Sequence, residues 1–359
     1  MFSKKKLTFF LLFLFNFYII AEDIYLKINE FNLFSKEINK FYFFSNNNNI
    51  FFVYLDKDMK LKISLIEYRE ENFFIGNTIF LYNYHKEDKI LYLKAFYNKG
   101  IYYVIHMEKF SQKLILTYFD NRLKPKSIII SNNISYPEVF ISDDTLNLFY
   151  ISDNRIFCKK IYLKNFKEKI IAGEKNIAFF KIVKNNNLYS MLWKFKDKKD
   201  YLYFSIIDHR LHGFSKIYKI VYKKDIPPCF VFNDNIFSLI FNYNKTIYSF
   251  LLEKGDREII KNNEILDIFS DKEIIDFVNI YNKNVIIFKE RIEIEKKKYI
   301  DILEVTKCDN NFNLISSFLP RKIEGVLLEY QFFVIYGKLF LFIIDSYQNS
   351  LKYVKVEDW

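Results

Sequence analysis

The sequence predicts an all-β chain of repeated units, each a small antiparallel sheet of about four strands. Three observations predict it. Short turn signals rich in Asn, Asp and Gly recur along the chain. Each is followed by the most apolar run of its unit. A third strand-like run then follows.

The turns come first. They are Asn46 to Asn49, Asn98-Lys99-Gly100, Asp143-Asp144-Thr145, Asn185-Asn186-Asn187, Asn233-Asp234-Asn235, Asn282-Lys283-Asn284 and Tyr336-Gly337-Lys338. Asn, Asp and Gly tolerate the left-handed backbone that tight hairpins need, and with only 7 glycines in the chain Asn takes most of that role. Between Asn48, Lys99, Asp144, Asn186, Asp234, Lys283 and Gly337 the intervals are 51, 45, 42, 48, 49 and 54 residues.

The runs after the turns are Ile50–Leu55, Ile101–Met107, Leu146–Ile151, Leu188–Trp193, Ile236–Phe241, Val285–Phe288 and Leu339–Ile344. They do not alternate cleanly between apolar and polar. A strand that is apolar on both sides needs cover on both faces. The third strands are Leu61–Ile66, Leu114–Phe119, Ile156–Leu163, Tyr201–Ile207, Ile247–Leu252, Tyr299–Val305 and Leu351–Val356. A second turn and a fourth strand show in two units, where Asp120-Asn121-Arg122-Leu123 resembles Asp208-His209-Arg210-Leu211. A first strand also repeats, since Pro137 to Asp143 aligns with Pro228 to Asp234, two units later.

The last unit ends its third strand at Val356 and the chain stops at Trp359, which leaves no fourth strand. Near the start, Ile24–Ile28 and Phe31–Phe34 are strand-like and belong to no unit. The expectation is that this N-terminal strand completes the last unit. Units of this size, each unable to bury its own faces, resemble the blades of a β-propeller. The resemblance implies a seven-bladed β-propeller of four-stranded antiparallel blades, one domain over residues 22–359. It reaches no particular family, because the Trp-Asp, Gly-Gly and Ser-x-Asp-x-Gly-x-Thr-Trp signatures of known propeller repeats are missing. An outer-membrane β-barrel is the rival. A lipid-facing last strand would alternate apolar residues back from Trp359, and Glu357 and Lys355 stand there instead.

Export is read from the N-terminus. Lys4, Lys5 and Lys6 precede an apolar run from Leu7 to Ile20, and Ala21 precedes Glu22. That is a signal peptide, residues 1–21, cleaved after Ala21, and the run is shorter than the ~20 residues a spanning helix needs. The expected location is the periplasm or cell envelope, with an uncleaved signal anchor as the one route to the membrane. The net charge of +11 is spread through interleaved charges of both signs, so nucleic-acid binding is not expected. Three cysteines, Cys158, Cys229 and Cys308, exclude a disulfide framework.

No Gly-x-Ser-x-Gly, Walker or dinucleotide motif occurs, so no catalytic residue is assigned and no cofactor is expected. His209 and His212 lie in a turn without a third ligand, so no metal is assigned either. Propeller geometry puts the loops between second and third strands on the same face as the inter-blade loops. His85, Arg155, Lys198, Lys223, Lys224 and Arg321 are the candidate binding residues of that face, with Lys57, Lys196 and Lys199 beside them. The expected function is a monomeric binding or scaffold module with a protein or glycan partner. A glycoside-cleaving hydrolase with carboxylates in a central funnel is the alternative.

Overall fold

The computed structural model describes residues 29–30, 38–46, 49–70, 72–85, 89–120, 122–142, 144–164, 167–185, 188–198, 200–208, 217–221, 228–233, 236–241, 246–251, 261–263, 272–280, 283–309, 314–323, 325–346 and 351–358. The proposed signal segment and His209 and His212 lie outside the described residues.

Every described element is a strand. β1 is Asn29–Glu30. The first sheet holds β2 (Ile38–Ser45), β3 (Ile50–Asp56), β4 (Lys60–Arg69) and β5 (Asn72–Asn83). The second holds β6 (Ile90–Asn98), β7 (Ile101–Glu108), β8 (Leu114–Phe119) and β9 (Lys126–Ser131). The third holds β10 (Ser135–Ser142), β11 (Thr145–Ser152), β12 (Arg155–Tyr162) and β13 (Lys167–Lys175). The fourth holds β14 (Ile177–Asn185), β15 (Leu188–Phe195), β16 (Tyr201–Asp208) and β17 (Tyr218–Val221). The fifth holds β18 (Cys229–Asn233), β19 (Ile236–Phe241), β20 (Thr246–Leu251) and β21 (Lys261–Asn263). The sixth holds β22 (Glu273–Ile280), β23 (Lys283–Glu295), β24 (Lys298–Cys308) and β25 (Leu314–Ile323). The seventh holds β26 (Leu327–Ile335), β27 (Lys338–Asp345), β28 (Leu351–Asp358) and β1, in the order β1-β28-β27-β26. The β1–β28 pairing is antiparallel, with Asn29 opposite Tyr353 and Glu30 opposite Lys352.

Contacts divide the chain into two compact units. One contains β2 through β18, and the other contains β1 and β22 through β28. In the first unit the opening strands of successive sheets are neighbours: β2 with β6, β6 with β10, β10 with β14, and β14 with β18.

The hairpins follow the local chemistry. Lys99 and Gly100 both have positive φ (48° and 83°), as do Asp153 and Asn154 (48° and 59°) and Tyr336 and Gly337 (47° and 74°). Two successive left-handed residues make the hairpin turn whose twist matches the strands it joins.

The second strands are apolar on both sides because both sides are packed. On β7, Val104 joins a core with Val53, Leu55 and Leu61 of the first sheet. Its neighbour Ile105 joins Leu146 and Leu148 of the third. Phe149 and Ile151 turn the other way and meet Tyr189, Met191 and Trp193 of the fourth sheet. In the other unit, Val285, Ile287 and Leu303 pack on Leu339, Leu341 and Ile343. Each fully buried aliphatic side chain contributes about 1.5–3 kcal/mol.

A carboxylate closes several second strands. Asp56, the last residue of β3, is buried and accepts hydrogen bonds from the Asp58 and Lys60 N–H groups (3.0 and 2.9 Å), with Lys62 at 2.6 Å. Asp345, the last residue of β27, pairs with Lys352 at 2.9 Å. Asp56 is therefore a turn-holding residue. Burial would raise its carboxyl, but the Lys62 hydrogen bond and the two backbone donors hold it below its ordinary value.

The three cysteines are free thiols, with Cys158 and Cys308 buried. Burial pushes both thiols up to about 12. A thiol held protonated and covered is unreactive. Alkylation of the native protein should spare Cys158 and Cys308 and reach them after denaturation. Rapid modification of both in the native state would contradict this.

Candidate functional site

Sequence reasoning placed Arg155 and Lys198 on a common face, and hydrogen bonds of the third and fourth sheets bring their neighbourhoods together. Asn154, in the β11–β12 turn, accepts a bond from the Ile177 N–H at 2.9 Å. Asn176, between β13 and β14, accepts one from the Lys196 N–H at 2.7 Å. The Lys196 ammonium also donates to Asn154 Oδ1. Two hairpin ends and the connection between their sheets are thus tied to one another.

Rings and cations stand on that tied surface. Phe195 and Tyr203 meet edge to face with centroids 4.8 Å apart, and Tyr203 stacks on Trp193 at 6.0 Å. The exposed Lys198 ammonium lies 5.0 Å over Phe195 and 6.0 Å over Tyr203. Lys219 lies 4.9 Å over the exposed Tyr201 ring. Exposed cation–ring pairs of this kind contribute only ~0.5–1 kcal/mol each, but they restrain long side chains. Arg155 is half-buried opposite Lys175 across β12 and β13. Asp153, Asp197 and Asp200 are exposed nearby in the chain and moderate the charge.

His85 is exposed in the connection after β5. Arg321 lies in β25 opposite Leu303, in the other unit. Lys223 and Lys224 lie outside the described residues.

A second cluster was not read from the sequence. It lies on the unpaired edges of the opening strands β2, β6 and β10. An opening strand has a sheet partner on one side only, so its other edge carries unused backbone groups. On β10 those groups are met by side chains: the Val139 N–H donates to the Tyr92 hydroxyl at 3.1 Å, and Lys184 of β14 donates to the Ile141 carbonyl at 2.6 Å. In the other unit, the Tyr330 hydroxyl donates to the Ile275 carbonyl at 3.1 Å.

Next to the Tyr92 bridge, the Lys94 ammonium lies 3.6 Å from Glu138 and 4.5 Å over the Phe140 ring. Burial lowers the Lys94 ammonium below its ordinary range, with Glu138 pulling the other way. Burial raises the phenols of Tyr42 and Tyr92, and the Glu138 charge adds to both effects. The phenols therefore stay neutral donors beside an ionic pair. The side chains keep partial access to solvent, 19 % for Lys94 and 38 % for Glu138. An ammonium and two phenols are brought to Glu138.

A signal for this cluster does exist in the sequence. Lys94 interrupts the apolar run of β6, as Glu138 interrupts β10. Only the adjacency of opening strands turns those separate interruptions into one site.

No protein-family model matches the chain, and no curated protein matches its sequence. Solved structures do match in shape. One is BamB from Moraxella catarrhalis, 11 % identical, with TM-score 0.48 over 91 % of this chain and 97 % of that one. Another is the WD40 domain of SCAP from fission yeast, 9 % identical, with TM-score 0.48 over 93 % and 98 %. A third comes from a study of two prolyl endopeptidases, 8 % identical, with TM-score 0.57 over 86 % of this chain and 45 % of that one. At 8 % identity the third likeness is one of fold alone.

Proposed function

We propose that the chain is an exported, seven-bladed β-propeller, closed by its N-terminal strand, that serves as a monomeric binding or scaffold module for a protein or glycan partner in the bacterial cell envelope. The sheet order and the β1–β28 pairing support the blade reading. The charged and apolar stretch from Lys4 to Ala21 supports export.

The observation that carries the binding role is the tied hairpin surface. Backbone bonds from Ile177 to Asn154 and from Lys196 to Asn176 fix it before any partner arrives. A preorganised surface loses less side-chain and loop freedom on binding than a floppy one. Aromatic rings with attendant cations suit a partner that offers acidic groups and apolar contact. Arg155 and Lys198 are the contact residues, and His85, Lys223, Lys224 and Arg321 belong to the wider loop face.

The test is site-directed crosslinking. A photoreactive residue in place of Lys198, expressed in the native cell, should capture a reproducible envelope species. Arg155→Glu with Tyr201→Ala should reduce that capture about tenfold or more while leaving the melting temperature in place. Repeated recovery of no species, or capture indifferent to both substitutions, would overturn the reading.

A further inference from the structure

The geometry points to a second ligand site on the opening strands, where Tyr42, Tyr92, Lys94 and Glu138 bind a neutral polyhydroxylated molecule, a saccharide. This site is separate from the hairpin surface and deepens the glycan side of the proposed function at a named place.

The argument begins with the ion pair. Lys94 and Glu138 lie 3.6 Å apart. Pairs elsewhere close further, to 2.6 Å for Lys62 with Asp56 and 2.9 Å for Lys352 with Asp345. The looser pair has room for a polar atom to touch both partners. An ionic ligand would take one partner and leave the other charge desolvated and unpaired, which is costly. A neutral hydroxyl accepts from the ammonium and donates to the carboxylate in the same place, so both charges stay satisfied.

The surroundings extend the match. Tyr42 and Tyr92, on β2 and β6, are half-buried phenols close to Glu138. The Tyr92 hydroxyl already accepts from the Val139 N–H, and its own proton remains for a ligand oxygen. Donors, an acceptor and aromatic carbon stand together on three strands, each held by its own sheet. Vicinal hydroxyls on a sugar ring present alternate donors and acceptors at that scale. The raised phenols and the lowered ammonium share one leading cause, burial, as an enclosed site requires.

The test is calorimetric titration of the full exported chain with maltotriose, with chitotriose and with glucose 6-phosphate. At least one neutral trisaccharide should bind with a Kd of about 1 mM or tighter, little changed by added salt. Glu138→Ala and Tyr42→Phe should each weaken it about tenfold or more, and Lys198→Glu should leave it unchanged. Tyr42→Phe removes one hydroxyl and keeps the ring, so it tests the site even if Glu138→Ala fails to fold. Absence of binding by both trisaccharides would overturn the proposal. So would neutral binding that both variants retain, or salt-sensitive binding of glucose 6-phosphate alone. Loss of the Lys198 crosslink with sugar binding intact would separate the failure of the hairpin surface from that of this site.

Discussion

Lowering the pH from about 6.5 to about 4.5 should destabilise the protein by about 2 kcal/mol through a single buried histidine. His106, on β7, is fully buried. Its Nδ1 meets the Tyr84 hydroxyl, and its Nε2 lies 3.1 Å from Thr117 Oγ1, which lies 2.8 Å from Ser127 Oγ. The imidazole thus sits in a chain of neutral partners from two strands, β8 and β9, and from the residue that follows β5. Burial lowers its pKa from 6.5 to about 3.

The direction follows from which state takes the proton. Below about pH 6.5 the unfolded chain protonates this histidine and the folded chain does not. Stability from His106 is therefore complete above 6.5 and is lost as pH falls toward 3, at about 1.4 kcal/mol per pH unit. Asp56, whose folded carboxyl is held below the ordinary carboxylate range, adds its own loss only in more acid solution. Of the two, His106 is the group that acts across the interval from pH 6.5 to 4.5. Urea midpoints across it should slope for the native sequence and run flat for His106→Leu. That variant should also start about 2–4 kcal/mol lower, having lost its bonds to Tyr84 and Thr117. Equal slopes for the two proteins would refute the assignment.

The repeat was legible where burial wrote a continuous pattern. Second strands such as Ile101–Met107 stand out because neighbouring sheets cover both of their faces. The turns at Lys99-Gly100 and Tyr336-Gly337 were legible because glycine marks the left-handed backbone. Outer strands were harder to see. β5 is exposed at alternate and adjacent positions, including Phe74 and Phe80, so it carries no clean period. β23 runs on past Phe288, where the apolar run ends, through Lys289, Glu290 and Arg291. Pairing with β24 keeps that stretch extended, and Arg291 makes a two-pronged bond to the buried Asp301 at 2.8 and 3.0 Å.

The N-terminal strand shows the same limit. The apolar runs Ile24–Ile28 and Phe31–Phe34 drew attention, yet the described pairing uses the polar Asn29 and Glu30 between them. Both apolar runs fall outside the described residues. The site was the least legible of all. Arg155 and Lys198 could be placed on one face by counting strands. The meeting of Lys94 with Glu138 depends on neighbouring opening strands, which spacing alone does not reveal.

The proposed closure by the N-terminal strand carries the largest expected effect. β28 pairs with β27 on one side and with β1 on the other. In a closed ring every blade supports its two neighbours, so opening one blade removes support from both sides at once. Deleting residues 22–34 behind an intact signal segment should exceed the effect of losing one short strand. The measurement is calorimetric melting of the purified chain with and without those residues. A closed seven-bladed ring predicts one cooperative transition for the whole chain and its loss, or a fall of more than about 10 °C, in the deletion. An unchanged transition in the deletion would contradict closure and the propeller reading built on it.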